Sequence, residues 1–177
     1  TIFQEAYEVG VFLAEHKIEL IFGGSKLGLM GQVAKGVLDN QGKVTGVIPD
    51  FLKTKEVAHT GLTQLITTED MHGRKLKMHD LSDGFMALPG GFGTLEELFE
   101  ILTWAQLGLH QKPIGILNSN GYYDDLVEMM HHMVRKGLLK KENLDLLLVS
   151  ETIAGLYEKM LHFKPIPVPK WMNKNQT

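Results

Sequence analysis

Short apolar runs along the chain alternate with longer segments in which apolar residues recur at helical spacing. The first pattern predicts strands and the second predicts helices. The predicted strands are residues 19–22, 43–48, 63–67, 85–88, 114–117 and 144–149. The predicted helices are residues 3–13, 28–40, 71–82, 95–107, 122–136 and 152–162. This order predicts an α/β fold in which a parallel sheet is covered by helices on both faces, giving three α/β/α layers.

The same pattern predicts the domain organisation. Helical spacing begins almost at Thr1, so the first strand of such a fold is expected to be missing from the numbered chain. No repeat or linker interrupts the pattern, which predicts a single domain over residues 1–163. Residues 164–177, with prolines at alternate positions, predict an extended C-terminal tail.

Composition narrows the classes of function. The 177 residues carry a formal net charge of −3, which gives no basic footprint for nucleic acid. Cysteine is absent, which excludes disulfides, thiolate metal sites and cysteine nucleophiles, and a reducing cytoplasm is the expected location. No apolar run approaches the roughly 18 residues that a membrane helix needs.

Polar or glycine-rich segments follow most of the predicted strands. In open parallel sheets, ligands bind beyond the carboxyl ends of the strands, so these segments are expected on one rim. They are residues 23–25, 49–50, 71–75 and 89–94, together with Asn118. The topology therefore predicts that Arg74 and Glu97 lie at the same rim, and that the active site is there.

The most informative motif lies between the strand at 85–88 and the helix at 95–107. It reads Pro89-Gly90-Gly91-Phe92-Gly93-Thr94-Leu95-Glu96-Glu97. A glycine turn before a helix lets backbone N–H groups approach an anion, and the helix N-terminus adds its dipole. Thr94 is expected to cap the helix and to donate to a phosphate oxygen, with Glu96 and Glu97 in the first turn. The motif thus predicts a carboxylate beside a phosphate site, suited to a phosphorylated sugar.

This motif has a simpler explanation, which is an ordinary turn before a capped helix. No lysine follows its last glycine, so it is not a Walker loop, and kinase or nucleotide-triphosphatase chemistry loses support.

Arg74 and Lys75 place two cations at the start of a helix, where cations are unfavourable, and so indicate a compensating anion. Arg74 could hold a phosphate or ribose face with its planar fork, and Lys75 could serve as a point charge. On this segment alone a solvated charged turn explains the residues nearly as well.

A second glycine turn occupies residues 23–31. It loosely resembles a dinucleotide-binding fingerprint, but its glycines are not spaced as G-x-G-x-x-G. It predicts close backbone packing and one wall of a small-molecule pocket, with Gly23, Gly24 and Met30 as candidate substrate contacts.

The helix at 95–107 carries apolar residues on more than one face, which is wider than burial against one sheet requires. This width predicts a homodimer.

Several motifs together resemble a known family. Pro-Gly-Gly-x-Gly-Thr-x-x-Glu, preceded by Met-His-x-Arg-Lys, is similar to the LONELY GUY proteins, cytokinin riboside 5′-monophosphate phosphoribohydrolases once labelled lysine decarboxylase-like. The similarity continues through residues 103–108, 112–115 and 120–123. The resemblance implies a Rossmann-like fold, a dimer, and hydrolysis of the N-glycosidic bond of an adenosine-type monophosphate, with no metal or organic cofactor.

The resemblance also implies the site. The catalytic arginine falls on Arg74 and the catalytic glutamate on Glu97. The other predicted substrate contacts are Glu56, Lys75, Gly90, Gly91, Phe92, Gly93, Thr94, Leu95, Glu96 and Thr103. Two departures are the missing first strand, whose loop helps line the family's nucleotide pocket, and Ser25, where a third glycine is common.

Two other functions remain open on the sequence. The fold and glycine turn could serve a non-catalytic nucleotide-binding or cofactor-carrier protein. The old label would require pyridoxal phosphate bound to a lysine. The sequence also leaves open the preference between adenosine monophosphate and prenylated cytokinin nucleotides.

Overall fold

The computed structural model describes residues 1–54 and 58–166. Glu56 and the distal tail from residue 167 onward lie outside the described residues. The chain divides into two compact units, Thr1–Ser82 and Asp83–Thr177, which we call the N-terminal unit and the C-terminal unit.

The N-terminal unit is a parallel three-stranded sheet with three helices. Its elements are α1 (Ile2–Glu15), β1 (Leu20–Phe22), α2 (Gly28–Asp39), β2 (Val44–Pro49), β3 (Gln64–Thr68) and α3 (Met71–Leu81). The strand order is β1-β2-β3, and the central strand β2 is buried along its whole length. Helices α2 and α3 contact the sheet, and α1 packs on α2. Gly10 permits that packing, because a Cβ there would lie 2.2 Å from the Val33 carbonyl oxygen.

The C-terminal unit repeats the plan. Its elements are β4 (Phe85–Ala87), α4 (Phe92–Gln106), β5 (Ile114–Leu117), α5 (Asp124–Arg135), α6 (Lys141–Leu144), β6 (Leu147–Ser150) and α7 (Ile153–Leu161). The strands are parallel in the order β4-β5-β6, and β5 is buried throughout. Gly115 makes room for α7, because a Cβ there would lie 2.6 Å from Cδ1 of Leu156. The core of the unit comprises Leu98, Ala105, Ile114, Ile116, Tyr123, Met130, Leu144, Leu146 and Leu147.

The predicted α/β class, with parallel strands flanked by helices, is confirmed, and most boundaries agree within two residues. The apolar run at 144–149 is an exception. Its first residue ends the short helix α6, and β6 begins only at Leu147. The helix predicted from residue 122 is preceded by a 3-10 turn, Ser119–Gly121, and α5 begins at Asp124.

The apolar residues of α4 are used within the C-terminal unit. Leu98 and Ala105 belong to its core, and Leu95, Phe99, Ile101 and Leu102 pack against that core. Homodimer formation and a single domain over residues 1–163 stay predictions. Among the described residues, no helix has the length and apolarity to cross a membrane.

Candidate active site

The predicted site residues of the N-terminal unit lie around Arg74. Helix α3 begins beyond β3 because Asp70 caps it, its Oδ1 accepting from Gly73 N at 2.7 Å. This places Arg74 in the first turn, where it is only 5 % exposed. Its Nη2 donates to the Gly23 carbonyl oxygen at 2.9 Å, and its Nη1 lies 3.9 Å from Sδ of Met71. Because burying a guanidinium is costly without hydrogen bonds, the Gly23 carbonyl stabilises the charge in this position.

Gly23 is the residue that admits the guanidinium. A Cβ at this position would lie 2.0 Å from Arg74 Nη2 and 3.2 Å from Met30 Sδ. The structure therefore brings Gly23, Met30 and Arg74 together at the carboxyl end of β1, as the topology predicted within this unit. Their contact with a substrate stays a prediction.

The rest of the first glycine turn is held closely by its neighbours. Gly24 adopts a φ of +82°, which favours glycine, and its carbonyl accepts from His59 N at 2.8 Å. Ser25 is 3 % exposed, forms an isolated antiparallel bridge with Ala58, and its Oγ accepts from Leu27 N at 3.1 Å. The serine that departs from the family pattern thus stabilises the turn. Lys75 is half-buried beside Arg74 on α3.

In the C-terminal unit, the second glycine turn leads from β4 into α4 earlier than predicted. The helix begins at Phe92, with Gly91 as its N-cap, because the Gly91 carbonyl accepts from Leu95 N at 3.1 Å. The prediction that Thr94 caps the helix is therefore wrong, since Thr94 lies inside the first turn. Glu96 and Glu97 lie in the second turn rather than the first.

The early helix start strengthens the case for an anion site. The N–H groups of the first helical residues, from Phe92 onward, have no carbonyl partner within the helix. Gly91, Phe92 and Gly93 are exposed, and a Cβ at either glycine would meet nothing within 4 Å. Backbone donors of this kind at a helix N-terminus can bind a phosphate.

The remaining predicted contacts of this unit lie along α4 and behind the turn. Gly90 abuts Thr94, since a Cβ at Gly90 would lie 2.2 Å from Oγ1 of Thr94. Glu97 and Leu95 are half-buried, and Glu96 is exposed. Thr103 is exposed further along α4, and its hydroxyl donates to the Phe99 carbonyl at 2.7 Å.

Two tyrosines that the sequence analysis gave no role support the second turn. The Tyr122 hydroxyl donates to the Gly90 carbonyl at 2.8 Å, and the Tyr123 hydroxyl donates to the Leu88 carbonyl at 2.6 Å. Burial above all, and then the neighbouring Tyr122, raise the pKa of Tyr123 to about 12, although the Gly90 backbone opposes the shift. The sequence did contain a signal for this support, which was Asn118. This residue follows β5, and because β5 pairs with β4, the loop after β5 lies beside the turn after β4.

The predicted catalytic pair is divided between the units: Arg74 lies in the N-terminal unit and Glu97 in the C-terminal unit. Their approach to one rim stays a prediction. Within residues 1–54 and 58–166, no cluster of three or more histidine, aspartate or glutamate side chains could hold a metal ion.

Comparisons with known proteins agree with this description. The cytokinin riboside 5′-monophosphate phosphoribohydrolase of Rhodococcoides fascians is 45% identical over 153 residues, which cover 86% of this chain and 77% of the relative. The cytokinin riboside 5′-monophosphate phosphoribohydrolase LOG3 of Arabidopsis thaliana is 39% identical over 160 residues, which cover 90% of this chain and 74% of the relative. The solved structure of the molybdenum cofactor binding protein from Rippkaea orientalis matches with a TM-score of 0.65 at 21% identity, covering 89% of this chain and 85% of that one, which shows the fold alone.

Parallel sheets flanked by helices, with glycine turns after the first strand of each sheet, define a Rossmann-like α/β protein. A family described as "Possible lysine decarboxylase" matches residues 30–160. The chain belongs to this family, which is the LONELY GUY family of the resemblance.

Proposed function

We propose that this chain is an N-glycosyl hydrolase that acts on cytokinin riboside 5′-monophosphates, adenosine monophosphate or both, releasing the free base and ribose 5-phosphate. The observation that carries the proposal is the open glycine turn at the N-terminus of α4, in a chain whose relatives bear the name of this activity. Backbone donors there suit a 5′-phosphate, so a free nucleoside is expected to be a poor substrate.

The proposed chemistry follows from the bond that breaks. As the C1′–N bond of the nucleotide lengthens, positive charge develops on the ribose, as in other glycoside hydrolyses. A carboxylate stabilises that charge and orients or deprotonates the attacking water, and we assign this role to Glu97. Water oxygen then bonds to C1′, and the base leaves with the bonding electrons and acquires a proton.

Arg74 is proposed to act on the same nucleotide. Its buried guanidinium is placed by the Gly23 carbonyl, which supports a fixed role in holding the substrate or offsetting the negative charge of the phosphate or departing base. Gly23, Gly24, Met30 and Lys75 are proposed to line its surroundings. Ala58 and His59 pair with the first glycine turn, which supports the proposal that the loop carrying Glu56 also contributes a contact.

The remaining proposals concern the setting of the activity. The homodimer rests on the family resemblance, because the apolar residues of α4 pack within the C-terminal unit. The absence of cysteine supports a cytoplasmic location. We propose one domain over residues 1–163, a small nucleotide as partner, and no nucleic-acid or membrane partner. Light scattering checks the dimer: a mass equal to one chain at every concentration would contradict it.

The decisive experiment is product analysis by liquid chromatography after incubation with adenosine monophosphate and, separately, with its isopentenyl derivative. Free base and ribose 5-phosphate are expected in equal amounts, and the two rates rank the substrates. Glu97→Gln is expected to lower turnover by about 10² while nucleotide binding persists. Glu142→Gln is the matched control, because Glu142 is exposed on the short helix α6.

Three outcomes would contradict the proposal or part of it. Near-normal turnover in Glu97→Gln would remove that residue from catalysis. Intact nucleotides from both incubations, together with a ligand that co-purifies with the protein, would favour the carrier function. A visible Schiff-base absorbance after adding pyridoxal phosphate would instead revive the decarboxylase assignment.

A further inference from the structure

The composition of the second glycine turn gives its backbone little intrinsic preference for one conformation. Gly91 and Gly93 have no Cβ, and the space around them is open. Glycine backbones sample many conformations, so a turn of this composition needs outside contacts to present its N–H groups in a fixed direction.

Those contacts come from the loop after β5. The Tyr123 hydroxyl binds the Leu88 carbonyl and the Tyr122 hydroxyl binds the Gly90 carbonyl, one on either side of Pro89. Proline itself fixes its φ near −65°. The backbone from the end of β4 to Gly90 is therefore fixed at three successive points.

The two tyrosines are themselves well anchored. Asn118 accepts from Tyr123 N at 2.6 Å through Oδ1, and donates to Asp124 Oδ1 at 2.8 Å through Nδ2. The Tyr122 and Tyr123 rings pack edge to face, with centroids 4.9 Å apart. Tyr123 is 2 % exposed, whereas Tyr122 is 53 % exposed. Tyr123 is thus part of the core, and Tyr122 is a surface residue whose hydroxyl can be removed with little effect on packing.

The hydrogen bond from Tyr122 to the Gly90 carbonyl also fixes the direction of the next N–H group. The Gly90 C=O and the Gly91 N–H belong to the same planar peptide, and in a trans peptide they point in opposite directions. We propose that Tyr122 is a positioning residue, which holds the Gly90 carbonyl and so aims the Gly91 N–H away from itself toward the substrate phosphate. The inference rests on the proposed function, because that function places the phosphate at this turn.

The test compares Tyr122→Phe with the unaltered chain. The variant keeps the aromatic ring and removes only the hydroxyl. The Kd for ribose 5-phosphate, measured by calorimetry, and the KM for adenosine monophosphate are expected to rise about fivefold to tenfold, the effect of one hydrogen bond. The kcat is expected to stay within about twofold, and the affinity for adenine to stay unchanged, because the turn binds only the phosphate.

Tyr7→Phe is the matched control, because the Tyr7 hydroxyl donates to Asp39 Oδ2 at 3.1 Å in the N-terminal unit. It is expected to change none of these values. An unchanged Kd for ribose 5-phosphate in Tyr122→Phe would overturn the inference, and so would an equal loss of affinity for adenine, which would indicate general loosening. If the unaltered chain binds ribose 5-phosphate but hydrolyses no nucleotide, the proposed function fails, while the binding comparison still decides the role of Tyr122.

Discussion

The two glycine turns follow the first strand of each sheet, yet their surroundings are opposite. In the N-terminal unit, Gly23, Gly24 and Ser25 are all buried. In the C-terminal unit, Gly91 and Gly93 are exposed, and Phe92 between them is 93 % exposed. The first turn is enclosed by its neighbours. The second turn is exposed at Gly91, Phe92 and Gly93, and two tyrosine hydroxyls bind the carbonyls that precede them.

The difference shows that glycine serves two physical purposes in one chain. At Gly23 and Gly31 of the first turn, the protein itself occupies the place of a Cβ, with a guanidinium at Gly23 and the Lys26 carbonyl at Gly31. At Gly91 and Gly93, the space of the Cβ is open, which suits a ligand that must reach the backbone. Similar sequence patterns therefore predict opposite responses to substitution.

The largest difference is expected between Gly31→Ala and Gly93→Ala. A Cβ at Gly31 would lie 2.0 Å from the Lys26 carbonyl oxygen, so backbone must move, and the free energy of unfolding is expected to fall by about 3 kcal/mol. At Gly93 the Cβ meets nothing within 4 Å in the first turn of α4, so the change is expected within about 1 kcal/mol, in the stabilising direction. Urea denaturation of both variants measures the contrast, and equal losses would refute the distinction.

The extent to which sequence predicts this molecule can be seen in particular elements. Strand β5 was predicted with its observed bounds because a fully apolar run lies between Pro113 and Asn118. The start of α4 was missed because Thr94 is a common capping residue, whereas the Gly91 carbonyl makes the first helical bond. The run at 144–149 is uniformly apolar, so its periodicity could not separate the end of α6 from β6.

The candidate site likewise contains one contact that the sequence predicted and one that it did not. The predicted parallel topology placed Arg74 and the first glycine turn at the same rim, and the bond from Arg74 to Gly23, 51 residues away in sequence, confirms that these two residues lie together. The bond between Tyr122 and Gly90 joins residues 32 positions apart, and no local spacing indicates it. Only the pairing of β4 with β5 brings those segments together.

The next largest effect is expected at Gly23. In Gly23→Ala, the Cβ would lie 2.0 Å from Arg74 Nη2, which is the end of a flexible side chain and can move aside. We therefore expect the free energy of unfolding to fall by about 2 kcal/mol, the value of a lost hydrogen bond to a charged group, and turnover to fall by about 10² as Arg74 is displaced. Gly61→Ala is the control for a glycine-to-alanine change that does not touch Arg74, because its Cβ would lie 3.3 Å from His59 Cε1. Steady-state kinetics and urea denaturation decide, and unchanged turnover would show that the Arg74 position is not critical.

The smallest effect is expected in the support of the second turn, where alkaline pH provides a selective test. Because the pKa of Tyr123 is raised to about 12, the folded protein keeps this phenol proton at pH values where the unfolded chain has lost it. The stabilisation from the neutral phenol is therefore complete below about pH 10 and is lost progressively toward pH 12.

Tyr123→Phe isolates this contribution, because it removes the hydroxyl that binds the Leu88 carbonyl and keeps the ring in the core. Near neutral pH the variant is expected to be less stable by about 1 kcal/mol, the value of one hydrogen bond. As the pH rises above about 10, the unaltered chain should lose stability faster than the variant, so the difference in unfolding free energy should shrink and then reverse. Urea denaturation of both proteins across this range measures it. A difference that stays constant with pH would show that the phenol of Tyr123 does not keep its proton for the Leu88 carbonyl, and that the second turn is supported through ring packing instead.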